Sequence, residues 1–205
     1  MSQPTVAAFG SWKSPIDAAQ VAAGTIGLSE PRIDEEHVYW CELRPAEGGR
    51  VVIVQRDADG STIDLLPPPF NARTRVHEYG GGAYIPCHCG AWFVHFPDQQ
   101  IYRATADGEP PALTKEPGLR HADFDRDGQC MRLLAVREDH RGEGEAVNTI
   151  AAIRPQDGGR SEVLISGNDF YAAPRLSPDG SRLAWLTWNH PNMPWDAAEL
   201  WVAQV

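Results

Sequence analysis

A group of polar side chains suited to ligand binding lies at Arg75, His77, Glu78 and Tyr79. A guanidinium, an imidazole, a carboxylate and a phenol within five residues supply charge and hydrogen bonds that can contact a peptide terminus. We therefore predict these four residues as a substrate-binding group. The alternative stays open: the same residues also suit an ion pair between neighbouring structural units, with the tyrosine buried.

The sequence contains no serine in the motif that a catalytic nucleophile for acyl transfer needs. A hydrolase serine of the α/β type sits in Gly-x-Ser-x-Gly on a strand-to-helix turn. The nearest match, Gly27-Leu28-Ser29-Glu30-Pro31, ends in proline and follows a predicted helix. His77 and Glu78 are adjacent, and on a strand they would point to opposite faces. We assign no catalytic residue and predict that the chain alone is inactive.

Two segments bear some likeness to metal sites. The run from Asp123 to Gly128 begins like a calcium loop, but Leu134 occupies the twelfth position, where glutamate is needed. Cys87-His88-Cys89 lacks the usual Cys-x-x-Cys spacing and a second pair.

Gly80-Gly81-Gly82 is followed by no Lys-Ser/Thr, so it predicts a close backbone approach rather than a phosphate loop. We predict no metal and no cofactor.

Composition narrows the partners. The 205 residues carry a formal net charge of -10, and no basic run offsets it, which argues against nucleic acid and anionic membranes. No apolar run approaches the length of a membrane span, and Met1 to Gly10 does not resemble a signal peptide. The sequence therefore predicts a cytoplasmic location.

The elements that would position these residues are short hairpins. Ser177-Pro178-Asp179-Gly180 fits a tight turn with glycine at positive φ. The strand that follows, 182 to 188, carries apolar residues on both faces, which predicts a sheet covered on both sides. The Pro-rich segment from His190 to Trp195 stands out as a long, partly apolar loop.

Asp-Gly turns recur with a regular pitch. Asp59, Asp107 and Asp157 each follow a β-prone run, at spacings of 48 and 50 residues, while Asp127 and Asp179 lie 52 apart. A period near 50 with four short strands is typical of a β-propeller blade. We predict an all-β partial β-propeller with blades at about 31-66, 82-115, 121-166 and 173 onward, about three and a half in all.

A short arm, residues 1-30, is expected to precede the propeller of residues 31-205. Ser14-Pro15-Ile16-Asp17 has the pattern of a helix start, with Ser14 as the N-cap. The helix should run to about Ala23, because Gly24 follows.

Three motifs resemble a known family: the run from Thr74 to Tyr84, the opening from Gly10 to Ile16, and the run from Asn168 to Gly180. They are similar to the N-terminal propeller of prolyl oligopeptidase-family serine peptidases, in the acylaminoacyl-peptidase and dipeptidyl aminopeptidase-like branch. The resemblance implies a propeller that filters short peptides for a C-terminal α/β-hydrolase domain. That domain, with its catalytic residues, is absent from the sequence.

The predicted function is a substrate-gating propeller segment of a cytoplasmic serine peptidase that acts on short peptides. The alternative is a non-catalytic protein-interaction propeller of the translocation-associated type, which shares the Ser-Pro-Asp-Gly turn. We also expect self-association through open blade edges, because the strand around Leu200-Trp201-Val202 has no predicted partner beside it.

Overall fold

The computed structural model describes residues 6–88, 90–128 and 131–205. Within them the strands form four antiparallel sheets of three or four strands, with only very short helices. This confirms the predicted all-β, propeller-type architecture. Cys89 and Cys130 lie outside the described residues.

Each sheet is built from strands consecutive in the chain. The first holds β1 (Gly27–Asp34), β2 (His37–Arg44), β3 (Arg50–Arg56) and β4 (Thr62–Asp64), and the second holds β5 (Tyr84–Cys87), β6 (Gly90–Val94) and β7 (Ile101–Thr105). The third holds β8 (Leu119–Asp127), β9 (Arg132–Asp139), β10 (Val147–Ile153) and β11 (Ser161–Ile165). The fourth holds β12 (Phe170–Leu176), β13 (Arg182–Trp188) and β14 (Glu199–Gln204).

The first strand begins earlier than expected. β1 starts at Gly27, inside the predicted arm, and pairs along its length with β2. In the second sheet, the position of a fourth strand is taken by a single bridge between Tyr102 and Ala112. Apolar clusters fill the spaces between sheets, with Tyr39 and Phe93 between the first and second and Tyr171 and Trp185 between the third and fourth.

The N-terminal helix, α1 (Ala18–Ala23), does not begin where predicted. Asp17, not Ser14, is the N-cap: its carboxylate accepts the Gln20 amide at 2.6 Å, and the Gln20 side chain accepts the Asp17 amide at 3.0 Å. This reciprocal pair satisfies two amides that a helix start leaves free. The Ser14 hydroxyl instead donates locally to the Ile16 carbonyl.

The predicted Ser-Pro-Asp-Gly hairpin is confirmed. Gly180 has φ 70°, its amide donates to the Ser177 carbonyl, and the turn joins β12 to β13. The prediction that both faces of β13 are covered is only partly correct. Leu183, Trp185 and Thr187 are buried on one face, whereas on the other face Leu186 is 37% exposed and its β14 partner Leu200 is 70% exposed.

The first strands of three sheets share an irregularity. β1, β8 and β12 each carry a bulge with a residue at positive φ: Glu30, Asp123 and Ala173. The Asp123 carboxylate accepts the Gly82 amide at 2.7 Å and the Ala173 amide at 3.1 Å, so it joins the third sheet to both neighbours. A β-carbon on Gly82 would lie 3.1 Å from that carboxylate, which explains the glycine run by close approach.

The calcium-loop alternative does not fit this strand. Asp125 accepts the amide of Leu176, and Asp127 pairs with Arg132 at 2.8 Å. Since Asp123, Asp125 and Asp127 lie within β8 and point to different neighbours, they do not converge on one ion.

Candidate functional site

The predicted substrate-binding residues lie in a tight turn rather than a strand. His77 and Glu78 both have positive φ, 55° and 63°, and the Glu78 amide donates to the Arg75 carbonyl. The Gly80 amide closes the turn by donating a hydrogen bond to the Val76 carbonyl. The assumption that His77 and Glu78 are on a strand is therefore wrong, because two successive left-handed residues reverse the chain here.

This turn forms one wall of a cavity of about 590 Å³ at one end of the third and fourth sheets. The other walls are the connection from β9 to β10, the start of β12, the end of β13 and the loop that follows β13. The Pro-rich loop singled out in the sequence forms part of the rim, through His190, Met193 and Pro194. Two segments distant in sequence thus meet at one cavity.

Aromatic rings form much of the inner wall. Phe170 and Trp188 stack at 5.3 Å between centroids, and the His77 ring lies 5.8 and 5.4 Å from them. Tyr79, which is 68% exposed, lies 5.7 Å from His77. Burial lowers the pKa of His77 and favours its neutral form, and its buried Nε2 atom has no hydrogen-bond partner.

Two buried hydrogen-bond acceptors also line the cavity. Glu138 is 4% exposed and accepts the His77 amide at 2.6 Å and the His140 Nε2 hydrogen at 2.8 Å. Asn148 is 6% exposed, lines the cavity, and has a buried Oδ1 with no partner. An unpaired buried acceptor costs free energy unless a ligand or water supplies a donor.

The rim is acidic and cross-linked. His190 contacts Glu145 at 3.1 Å, and its amide donates to the Asp169 carboxylate at 2.8 Å. With Glu78 and Glu138, four carboxylates line the cavity, and none of the described arginines or lysines does. Arg120 lies behind two of them, 2.7 Å from Glu78 and 3.8 Å from Glu138, so the net balance stays acidic. A positively charged ligand group suits this balance.

The four predicted residues do not all converge. Glu78 forms an ion pair with Arg120 of β8 at 2.7 Å, and the pKa of Glu78 is lowered by that guanidinium. This contact is the ion pair between neighbouring units that the alternative interpretation expected. The tyrosine of that interpretation, Tyr79, is however exposed rather than buried. His77, Glu78 and Tyr79 line the cavity, whereas Arg75 lies outside it, over the Phe96 ring at 4.6 Å.

Several lining residues had no signal in the sequence. Glu138 and Asn148 lie in strands of the repeat, where nothing local distinguishes them from ordinary sheet positions. Phe170 lies in the run from Asn168 to Gly180 that resembles the family, but that run gave it no role in a site. In the described part of the chain no cluster of His, Cys, Asp and Glu is arranged to hold a metal ion. Among the same residues, none of the helices has the length and apolar character needed to cross a bilayer.

Solved structures share this architecture over almost the whole chain. A puromycin hydrolase matches 98% of it at 36% identity with a TM-score of 0.87. A puromycin-hydrolysing peptidase of Mycobacterium tuberculosis matches 98% at 38% identity, also with a TM-score of 0.87. The chain spans 34% of the length of each. No family model and no curated protein matches the sequence.

More distant structures show the fold alone. The acylaminoacyl peptidase of Pyrococcus horikoshii is 14% identical over 89% of the chain with a TM-score of 0.59, and TolB of Acinetobacter baumannii is 14% identical over 87% with a TM-score of 0.58. Taken together with the two puromycin-hydrolysing enzymes, these matches confirm the resemblance to the propeller of prolyl oligopeptidase-family peptidases.

Proposed function

Since the chain corresponds to the propeller part of a prolyl oligopeptidase-family peptidase, we propose that it is the substrate-gating segment of a cytoplasmic serine peptidase that acts on short peptides. Its task is to bind and select the peptide, while a hydrolase domain outside these 205 residues supplies the catalytic serine. The two structures with 36% and 38% identity are both named for hydrolysis of puromycin. That activity belongs to those proteins.

The observation that carries this proposal is the cavity beneath the His77 turn. Its volume of about 590 Å³ suits a small ligand or a few residues of peptide. The turn brings His77 and Tyr79 to the same opening as the loop from His190 to Pro194. Sites that combine an apolar wall with a few convergent polar groups are typical of small-ligand binding.

The chemistry of the cavity favours the amino end of a peptide. Glu138 and the unpaired Asn148 Oδ1 accept hydrogen bonds, and an ammonium group donates three. The rings of Tyr79, Phe170 and Trp188 attract a cation and pack against an apolar side chain. A free amino terminus with a bulky first residue meets both requirements.

Peptide binding by the 205-residue chain tests the proposal. We expect tripeptides with a free amino terminus to bind at least about tenfold more tightly than their N-acetylated forms, measured by NMR titration, since acetylation removes the charge. Tyr79→Ala should weaken binding of the free tripeptides about threefold to tenfold, because cation–π and packing contacts are lost.

Trp12→Ala, which removes an exposed aromatic ring from the arm, is the matched control and should leave binding unchanged. Equal affinity for free and acetylated peptides would refute amino-end recognition. Binding unaffected by Tyr79→Ala would place the ligand elsewhere.

Under this proposal the 205-residue chain has no hydrolytic activity of its own. Ser29, in the one near-match to a nucleophile motif, lies within β1 and not on a strand-to-helix turn. We expect no turnover of aminoacyl or acylaminoacyl chromogenic substrates above background. Stoichiometric labelling of a single serine by a phosphonate probe would contradict this expectation.

A further inference from the structure

Two arginines outside the cavity share one aromatic ring. The guanidinium carbons of Arg73 and Arg75 lie 4.5 and 4.6 Å from the centroid of Phe96, so their separation cannot exceed the sum of these distances. Both side chains are exposed. Within the described residues neither arginine has a carboxylate at ion-pair distance, and Glu78, which interacts weakly with Arg75, pairs with Arg120.

The backbone beneath the arginines is held firmly. The Arg75 amide donates to the side chain of Gln99 at 2.8 Å, and Gln99 donates in turn to the Phe96 carbonyl at 2.7 Å. Gln99 itself is 7% exposed. The Arg73 amide donates to the Val94 carbonyl at the end of β6. The backbone of both arginines and of Phe96 is thus held by hydrogen bonds to the end of the second sheet.

Two nearby cations repel each other, and the ring offsets only part of that cost. A guanidinium over an aromatic ring also keeps N–H groups free to donate to an anion. In a chain with net charge -10, an unpaired pair of arginines is the local exception. An anion placed between them would remove the repulsion and accept charge-assisted hydrogen bonds.

We propose that Arg73 and Arg75 bind the carboxylate end of the peptide whose amino end occupies the cavity. This inference rests on the proposed function and names its substrate class as short peptides with both termini free. Arg75 begins the turn that carries His77 and Tyr79 into the cavity, so the cationic pair and the acidic cavity lie at the two ends of one short segment. Opposite charges at the two places would fix the direction of the peptide.

The test compares peptides that differ only at the carboxyl end. Tripeptides with a free carboxylate and their C-terminal amides are titrated into the 205-residue chain and into the double variant Arg73→Gln/Arg75→Gln. We expect the chain to prefer the carboxylate about tenfold, and the double variant to lose that preference while it still discriminates against N-acetylation. A matched double variant, Arg160→Gln/Arg182→Gln, removes the same charge from exposed positions elsewhere and should keep the preference.

The outcomes separate the two proposals. A carboxylate preference that survives in the Arg73→Gln/Arg75→Gln variant overturns the arginine site and leaves the cavity proposal standing. Loss of the preference in both double variants also overturns it, because a general charge effect would then be responsible. If the chain binds none of the peptides at millimolar concentration, both proposals fail.

Discussion

At the scale of single residues, Glu30 is an ionisable group outside the cavity whose pKa is strongly shifted. It lies at the bulge of β1, where its Oε2 atom is buried without a hydrogen-bond partner. Its backbone carbonyl accepts the Tyr84 hydroxyl at 2.6 Å, which ties the first sheet to the second. Burial raises the pKa of Glu30 to about 7, against opposing effects of Arg32 and the Ala83 amide, while Asp123 adds to the rise.

The sign of the resulting pH dependence follows from proton binding. Between its ordinary pKa of 4.5 and the folded value of about 7, Glu30 holds more protons in the folded than in the unfolded chain. The free energy of unfolding therefore falls as pH rises through this window. Glu30→Gln should remove that fall and be more stable than the parent chain by about 2 to 3 kcal/mol at pH 8, but not at pH 4.

Urea unfolding at both pH values measures the difference, with Glu109→Gln as a control at an exposed position. A stability gain that is the same at pH 4 and pH 8 would show that Glu30 does not titrate in this window.

Only some residues of the candidate site could be predicted from the sequence. His77 and Tyr79 were predicted because their types cluster in the sequence, and both line the cavity. Glu138 and Asn148 were not, because a strand residue becomes part of a site only through the neighbouring sheet that packs above it. Arg75 was grouped with the others by spacing, but the turn directs it to Phe96 instead.

At the scale of elements, the turn between β12 and β13 gives a clear stability prediction. Gly180 has φ 70°, where a β-branched side chain costs about 1 to 2 kcal/mol. Gly180→Val should therefore lower the melting temperature by several degrees in thermal denaturation. Ser181→Val, the adjacent control, loses only exposed hydrogen bonds to Asp179 and should change it little. Similar losses in both variants would mean that the backbone of the turn does not need glycine.

Hairpins were predictable because their signals are local. Proline and Asp-Gly determine the turn chemistry, and alternating apolar residues determine the strands on either side. The turn at His77 was not predictable, because its two left-handed residues are not glycines and are held by contacts with Glu138 and Arg120. The helix start was misplaced for a related reason: Asp17, the acid expected to follow a Ser14 cap, is itself the N-cap and forms the reciprocal pair with Gln20.

At the scale of the whole molecule, the first and fourth sheets each present an apolar face. Leu28 and Ile33 of β1 are 70% and 77% exposed, and Leu200 and Val202 of β14 are 70% and 58% exposed. Exposed apolar patches of this kind favour association. We expect the 205-residue chain to self-associate through these faces. The association through open blade edges expected from the sequence stays a separate prediction.

Leu200→Lys should shift the molecules toward monomer in light scattering, because it places a charge on that face without disturbing the stack of Trp185 and Trp201. Gln156→Lys adds the same charge at a distant exposed position and serves as the control. A monodisperse monomer of the parent chain at high concentration would contradict the expectation.

The repeat of about 50 residues was enough to predict four sheets, since each one folds from consecutive strands. What sequence spacing did not reveal was how the sheets are joined, because that depends on side chains such as Asp123 reaching across a gap.

That carboxylate has a thermodynamic consequence. Asp123 holds Gly82, just after the His77 turn, and also Ala173, three residues after Phe170 of the cavity wall. Two segments of the cavity lining, distant in sequence, thus share one anchor. If a ligand that contacts both segments strengthens these two hydrogen bonds, then by reciprocal linkage any change that strengthens the bonds raises the affinity for that ligand. Under the proposed function, the joint between the sheets would then also couple peptide binding to the stiffness of the contact between the third sheet and its neighbours.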